Sequence, residues 1–170
     1  MTLIYPGTFD PVTKGHINIA KRGATLASKL IVAILHNPNK QPLFPLEERI
    51  AFLQDALGSH SNIEIDTFSG LLAEYALEKH ATAVLRGVRN YKDFEQEITL
   101  ATCNNLIFTS QNNASTPLET IFLPADAKYT HVSSSIVREI AYHIYKSNCS
   151  DVVLEDMVTS KVRTALKEIW

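Results

Sequence analysis

The stretch Tyr5-Pro6-Gly7-Thr8-Phe9-Asp10-Pro11-Val12-Thr13-Lys14-Gly15-His16 decides how this chain begins to fold. The apolar run before it, Thr2 to Tyr5, predicts a strand. The residues after it predict a helix, because one face carries Ile17, Ala20, Ala24 and Ala27. A strand, a glycine-containing loop and a helix N-terminus together suit phosphate, because the loop N–H groups and the positive end of the helix dipole face the same way.

Single residues of this loop support a phosphate site. Gly7 lets the backbone turn and approach a ligand, Thr13 is a candidate N-cap, and Gly15 leaves room at the first helical turn. His16 then lies in that turn, where an anion would bind. The loop is neither a dinucleotide fingerprint nor a Walker loop, because the glycines and the Gly-Lys-Ser/Thr they require are missing. The alternative is an ordinary strand-to-helix turn with a capping threonine.

Gly-Thr-Phe-Asp-Pro followed by Thr-x-Gly-His resembles the nucleotidyltransferase superfamily, whose members carry a His/Thr-x-Gly-His signature at this place. Thr13 in the first position of that signature resembles the phosphopantetheine adenylyltransferase branch. Nicotinamide mononucleotide adenylyltransferases and cytidylyltransferases more often carry His there.

Composition favours one cytoplasmic domain over residues 1–170. The chain is 45% hydrophobic, enough for a sizeable core. Its net charge of -2 provides no overall field to attract nucleic acid or an anionic membrane, so an anion site must be a local cluster of basic residues. We expect Cys103 and Cys149 to be free thiols, and we find no signal peptide or membrane-spanning run.

Five apolar segments predict strands, beginning with Thr2 to Tyr5 and continuing with Leu30–Leu35, Ile63–Ile65, Ala83–Leu85 and Glu119–Leu123. Helical patterns alternate with them. The later ones run from Leu46 to Leu57, after Gly70, from Tyr91 to Leu106, after Val132, and through Val158, Val162, Ala165 and Ile169. This alternation predicts an α/β fold, a five-stranded parallel sheet with helices on both faces, as in Rossmann-like dinucleotide-binding folds.

Ligands of such sheets bind beyond the carboxyl ends of the strands, at the topological switch point. Four loops meet that edge: 7–16, 37–40, 86–89 and 129–135. They would bring His16, Lys40, Arg86 and Arg89 together beside the hydroxyls of 133–135, donors that suit phosphate. Each has a simpler explanation: a solvated Lys, an Arg paired with a carboxylate such as Asp93 or Glu95, or a serine that only caps a helix. Together the four loops favour a phosphate site.

The resemblance covers essentially the whole chain, with Arg86-Gly87-Val88-Arg89 and Val132-Ser133-Ser134-Ser135-Ile136-Val137-Arg138 as further motifs. It implies phosphopantetheine contacts at Thr8, Lys40, Leu72 and Arg86. It implies ATP contacts at Thr8, Phe9, His16, Gly87, Val88, Arg89, Glu97, Tyr129, Thr130, His131, Val132, Ser133, Ser134 and Ser135. His16 matches the family's transition-state stabiliser.

The implied reaction joins 4'-phosphopantetheine to the adenylyl group of ATP, giving dephospho-coenzyme A and pyrophosphate. The resemblance also implies a homohexamer with feedback by coenzyme A. The attacking group is already a phosphate anion, so positioning and charge stabilisation suffice without a general base. No zinc-type cluster is present, and Mg²⁺ is expected to bind mainly to the triphosphate.

Two alternatives stay open. One is another nucleotidyltransferase, acting on nicotinamide mononucleotide or using a cytidylyl donor, which Thr13 and Gly70-Leu71-Leu72 disfavour. The other is a catalytically silent nucleotide sensor. Two departures from the family pattern bear on the oligomer: Asn104-Asn105-Leu106 lacks an expected basic residue, and Thr109–Pro117 is expected to form a long, mobile loop.

Overall fold

A computed structural model describes residues 1–36, 41–112 and 116–170. The strands are β1 (Thr2–Gly7), β2 (Lys29–Leu35), β3 (Ile63–Phe68), β4 (Ala83–Val88) and β5 (Glu119–Pro124). The helices are α1 (Lys14–Ala24), α2 (Leu46–Leu57), α3 (Leu72–Glu78), α4 (Tyr91–Asn112), α5 (Ser134–Lys146), α6 (Val152–Glu155) and α7 (Ser160–Ile169). A 3₁₀ turn, Ala127–Tyr129, precedes α5.

The five strands form one parallel sheet in the order β3-β2-β1-β4-β5, which confirms the predicted fold class. From β1 the chain adds β2 and β3 on one side of the sheet, and then returns to add β4 and β5 on the other side of β1. The switch point of the topology therefore lies between β1 and β4. These two strands pair only at Leu3 with Ala83 and Ile4 with Val84, whereas β1 pairs with β2 over the whole length of β1. The sheet is therefore open at the carboxyl ends of β1 and β4, where a ligand site is expected.

Both faces of the sheet are buried, as a parallel sheet requires. Leu3 and Leu85 point into a large core shared with α1, α2, α5 and α7. Ile4 and Val84 point to the other face, into a smaller core with Tyr75 of α3 and Phe108 of α4. The apolar runs of the central strands are continuous because alternate residues serve different cores.

The predicted end of α4 was wrong. The helix was expected to end at Leu106 before a loop from Thr109 to Pro117, but it continues to Asn112. Phe108 is buried in the smaller core, and packing of this kind overrides the weak helix propensity of polar residues. Residues 113–115 of the expected loop lie outside the described residues.

Two other helix boundaries differ from the expectation. Ala27 was placed on the face of α1, but that helix ends at Ala24 with Thr25 as its C-cap. Val158 was placed in the last helix, but α7 begins at Ser160, because the Thr159 hydroxyl accepts a hydrogen bond from the Val162 N–H and caps it. Cys103 and Cys149 are free and exposed, as expected. In the part of the chain that the structure describes, no helix is long and apolar enough to cross a membrane.

Candidate active site

A cavity of about 370 Å³ opens at the carboxyl ends of β1 and β4. Its wall contains most of the residues singled out from the sequence, namely Thr8, Phe9, His16, Arg86, Gly87, Arg89, Glu97, Tyr129, Val132, Ser133, Ser134 and Ser135. Val88 is the last residue of β4, and Thr130 and His131 lie between the 3₁₀ turn and α5; these three residues do not line the cavity. Lys40 lies outside the described residues.

The wall also contains residues that were not expected to face a ligand, among them Tyr5, Asp93 and Gln96. Asp93, Gln96 and Glu97 are three and four positions apart and so share one face of α4. Because Glu97 was predicted to contact the ligand, this spacing could have identified Asp93 and Gln96 as well. Tyr5 gave no such signal, because it lies inside an apolar strand.

His16 is held by a capping box at the start of α1. The Thr13 hydroxyl accepts a hydrogen bond from the His16 N–H at 3.3 Å, which confirms Thr13 as the N-cap. In return, Nδ1 of His16 accepts a hydrogen bond from the Thr13 N–H at 3.1 Å. Because Nδ1 is an acceptor, the ring proton of a neutral imidazole is on Nε2, which donates to no acceptor in the described residues.

The surroundings of His16 also keep it neutral. Burial lowers the pKa of the imidazole to about 4, and the positive charges of Arg89 and Arg86 act in the same direction. The edge-to-face packing of Phe9, with ring centres 5.3 Å apart, holds the ring from the side. At neutral pH His16 is therefore an oriented hydrogen-bond donor without charge.

Arg86, at the end of β4, is paired with Glu97 of α4. Its Nε and Nη2 each donate to one carboxylate oxygen at 2.5 Å, and its Nη1 donates to the Pro6 carbonyl at 3.0 Å. A guanidinium carries five N–H donors, so two remain for a ligand. The carboxylate holds the fork in one orientation beside the end of β1.

Arg89 is similarly paired with Asp93, four residues further along the chain. Nε and Nη2 donate to the two carboxylate oxygens at 2.7 and 3.1 Å. The structure thus contains the pairing with Asp93 that was the simpler explanation for Arg89. Two short carboxylate pairs therefore orient both arginines of the Arg-Gly-Val-Arg motif toward the cavity and offset their charges.

A second helix N-terminus, that of α5, completes the wall. The Ser133 hydroxyl caps it by accepting from the Ile136 N–H at 3.2 Å. The Ser134 hydroxyl donates to the Pro11 carbonyl at 2.9 Å, so its proton is used inside the protein. We conclude that α5 offers an anion its backbone N–H groups, its dipole and the hydroxyl of Ser135, whose oxygen accepts a hydrogen bond from Arg138 at 3.4 Å.

Asp10 connects the loop after β1 to the segment before α2. The carboxylate is almost fully buried and accepts hydrogen bonds from the N–H groups of Leu43 and Phe44, both at 2.9 Å. Arg138 of α5 donates to the Asp10 carbonyl. Asp10, through its carboxylate and its carbonyl, thus fixes the relative positions of three segments at the ligand edge.

Gly7 has a different role from the expected one. A Cβ at this position would lie 2.8 Å from the ring of Phe9, so the glycine leaves room for that ring to fold back over β1. Phe9 itself has a φ of 46°, a left-handed conformation that is rare for a large side chain. Strained residues of this kind concentrate at ligand sites.

A second cavity, of about 220 Å³, lies on the other side of Arg86 and Glu97. Its wall is mostly apolar and includes Leu35, Phe68, Leu72, Val84, Leu100 and Ala101. The two cavities share Pro6, Arg86 and Glu97. Leu72 lines this second cavity, separate from the predicted ATP residues.

Comparison with known proteins identifies the family. Residues 4–140 match the model of the cytidylyltransferase-like family. The chain is 44% identical to a phosphopantetheine adenylyltransferase of Caldanaerobacter subterraneus subsp. tengcongensis, over 97% of both chains. It is also 44% identical to the same-named protein of Alkaliphilus oremlandii, over 81% of this chain and 83% of the relative. The chain belongs to the phosphopantetheine adenylyltransferase family. It is thus a nucleotidyltransferase, which confirms the resemblance that Thr13 and the other motifs suggested.

Solved structures support the fold. Nicotinic acid mononucleotide adenylyltransferase of Plasmodium falciparum matches with a TM-score of 0.63 and 15% identity, over 99% of this chain and 93% of that one. A lipopolysaccharide core biosynthesis protein of Thermoplasma volcanium matches with a TM-score of 0.52 and 17% identity, over 74% and 98%. At these identities the likeness concerns the fold alone, and it agrees with the Rossmann-like parallel sheet described above.

Proposed function

We propose that this member of the phosphopantetheine adenylyltransferase family transfers the adenylyl group of ATP to 4'-phosphopantetheine. The products would be dephospho-coenzyme A and pyrophosphate, in coenzyme A biosynthesis. Two relatives named for this activity match the chain over 83% and 97% of their own lengths. The observation that carries the proposal is the pair of cavities that meet at Arg86 and Glu97.

The chemistry of the two cavities matches the two substrates. The larger one is bounded by two helix N-termini, His16 and Arg89, which suit a triphosphate. The smaller one is lined by Leu72 and other apolar groups, which suit the pantetheine arm. Arg86 stands where they join, so its two remaining N–H donors would hold the acceptor phosphate beside the α-phosphate of ATP. Lys40 would contact the same acceptor phosphate.

The mechanism needs positioning and charge stabilisation. The acceptor phosphate is already an anion, so it can attack the α-phosphorus directly, with pyrophosphate leaving on the opposite side. Nε2–H of His16 would donate to an α-phosphate oxygen as negative charge grows there. A general base is unnecessary, and the neutral, Nδ1-capped His16 is suited to donate a proton in a hydrogen bond rather than to remove one.

ATP would enter with Mg²⁺, which neutralises part of the phosphate charge. Within the described residues, no group of three or more His, Cys, Asp or Glu could hold a metal ion. Asp93 and Glu97 border the larger cavity, but arginines occupy their carboxylates. This donor set fits a magnesium ion held mainly by phosphate oxygens and water.

A pyrophosphate-release assay tests the activity. The purified chain is incubated with ATP and MgCl₂ and, separately, with 4'-phosphopantetheine, nicotinamide mononucleotide or nicotinic acid mononucleotide. Release with 4'-phosphopantetheine alone is expected. Release only with a mononucleotide would replace the proposed acceptor, and ATP binding without any release would favour a sensor.

We further propose that the chain forms a homohexamer regulated by coenzyme A. We also propose that it works in the cytoplasm, where ATP, its proposed substrate, is present. Helix α4 supports self-association, because it leaves Tyr91, Leu100 and Leu106 at 80%, 52% and 64% exposure. Size-exclusion chromatography with light scattering measures the assembly, and a monomer at micromolar concentration would refute it. Inhibition assays with coenzyme A test the feedback.

A further inference from the structure

Arg49 of α2 is a buried cation that the site described above does not use. It is 3% exposed, and its Nε has no hydrogen-bond partner. Among residues 1–36, 41–112 and 116–170, no carboxylate forms an ion pair with it, whereas Arg86 and Arg89 each have one. A buried guanidinium without a counter-charge is costly, so its retention calls for an explanation.

The contact that Arg49 makes leads to the phosphate loop. Its Nη1 donates to the Thr8 carbonyl at 2.9 Å. That carbonyl belongs to the peptide that joins Thr8 to Phe9, and both residues line the larger cavity. The peptide is trans, so its N–H points opposite to its carbonyl and away from Arg49.

The Phe9 N–H on the other side of this peptide is unused by the protein. In the described part of the chain it donates to no backbone or side-chain acceptor. The direction of this N–H depends on the φ of Phe9, which is held at 46°, in the left-handed region. A rotation of Phe9 to an ordinary negative φ would turn the peptide, break the bond from Arg49 and redirect the N–H.

We propose that Arg49 is a positioning residue, which fixes the Thr8–Phe9 peptide so that the Phe9 N–H faces a phosphate oxygen of the nucleotide. Its charge stabilises the same anion from behind the loop, because no carboxylate in the described residues offsets it. The role rests on the proposed adenylyl transfer for its substrate. The proposed role of Arg49 concerns the nucleotide side of the site, so it can be tested by measuring ATP affinity in the absence of an acceptor.

Arg49→Met tests the proposal by removing charge and donors while keeping an unbranched side chain. The dissociation constant for ATP with Mg²⁺, from calorimetry, and KM for ATP should both rise roughly 10- to 100-fold, the effect of losing a hydrogen bond to a charged group. KM for 4'-phosphopantetheine should change far less. Arg49→Lys keeps the charge and one donor and should recover most of the ATP affinity.

Asn62→Ala is the matched control, because it also removes a partly buried side chain that anchors backbone carbonyls. Asn62 donates to the Ala24 and Ala27 carbonyls at 2.8 and 3.2 Å, before β3 and far from the cavity. The Asn62→Ala variant should have a lower unfolding temperature than wild type and an unchanged ATP affinity. A folded Arg49→Met with wild-type ATP affinity, or with equal losses for both substrates, would overturn the role.

A wild-type experiment keeps the proposal testable if Arg49→Met does not fold. In ¹⁵N-labelled wild-type protein, titration with inorganic pyrophosphate and Mg²⁺ should shift the Phe9 amide proton downfield, as expected for a new hydrogen bond to phosphate. An unmoved Phe9 amide at saturation would refute the proposal. Failure of 4'-phosphopantetheine as acceptor would instead refute the proposed function, since neither binding experiment contains an acceptor.

Discussion

The Thr13 N–H donates a hydrogen bond of 3.1 Å to Nδ1 of His16, and this contact fixes the tautomer of the imidazole. The same cap that starts α1 therefore also aims Nε2–H at the cavity. Protonation of Nδ1 would set two donors against each other and break the capping box. Local helix formation and the chemistry proposed for His16 thus depend on the same pair of residues, Thr13 and His16.

His16→Ala should lower kcat and kcat/KM together by roughly 10²–10³, as does loss of one oxyanion-type donor. The donated bond would be made mainly in the transition state, so ATP affinity should weaken only slightly. Steady-state kinetics with calorimetric ATP binding check this, with the exposed His143→Ala as control. Loss of ATP binding in proportion to kcat would make His16 a ground-state anchor. Rescue of the rate by imidazoles of rising basicity would show that it transfers a proton.

The lowered pKa of His16 predicts how stability depends on pH. An unfolded His binds a proton near its ordinary pKa of 6.5, whereas His16 in the folded chain stays neutral down to about 4. Between these two pH values the unfolded state therefore binds more protons than the folded state. The contribution of His16 to the stability of the folded state is complete above pH 6.5 and is lost as the pH falls to about 4. Urea unfolding at several pH values should show a steeper loss for wild type than for His16→Ala. Parallel curves would contradict the lowered pKa.

Arg86→Ala should weaken acceptor use by about 1.5–3 kcal/mol, the range for a hydrogen bond to a charged group. ATP affinity should change far less, and the same is expected of Lys40→Ala. Glu97→Gln removes the charge that offsets Arg86, so it should lower the KM for 4'-phosphopantetheine. Initial rates with each substrate varied in turn measure these effects. Equal losses for both substrates in Arg86→Ala would show that its assignment to the acceptor is wrong.

The sequence predicted those parts of the site that are local in the chain. Thr13 was expected to cap a helix, and capping was the simpler explanation for the serines of 133–135. Thr13 and Ser133 do cap helices, because an N-cap acts on residues only two or three positions away. The pair of Arg89 and Asp93 was among the alternatives considered, since four residues separate its members. Parallel strands bring the ends of β1 and β4 to the same edge of the sheet, so the convergence of their loops was also predictable.

Long-range contacts could not be predicted in this way. Arg86 pairs with Glu97 across a turn, and Arg49 contacts Thr8 across 41 positions, so both depend on how a helix docks on the sheet. Nothing in the pattern of α2 distinguishes a buried arginine from a solvated one. The true end of α4 was missed for a similar reason, because the burial of Phe108 is decided by the neighbouring helix and strands.

The second cavity provides a prediction that separates the two substrates. Leu72 lines this cavity, whereas its neighbour Leu71 is 45% exposed and does not. Leu72→Trp would fill the space proposed for the pantetheine arm, and KM for 4'-phosphopantetheine should rise about tenfold or more, equivalent to losing roughly two buried methylene groups. ATP binding should be unaffected, because Leu72 does not border the larger cavity.

Leu71→Trp adds the same indole one position away, outside both cavities, and so serves as the control. Thermal unfolding of the two variants shows whether either substitution disturbs α3. If Leu71→Trp matches wild type while Leu72→Trp loses acceptor affinity alone, the acceptor arm lies in the second cavity. If Leu72→Trp leaves KM for 4'-phosphopantetheine unchanged, the arm takes another path from Arg86, and the division of the site into a nucleotide cavity and an acceptor cavity is wrong.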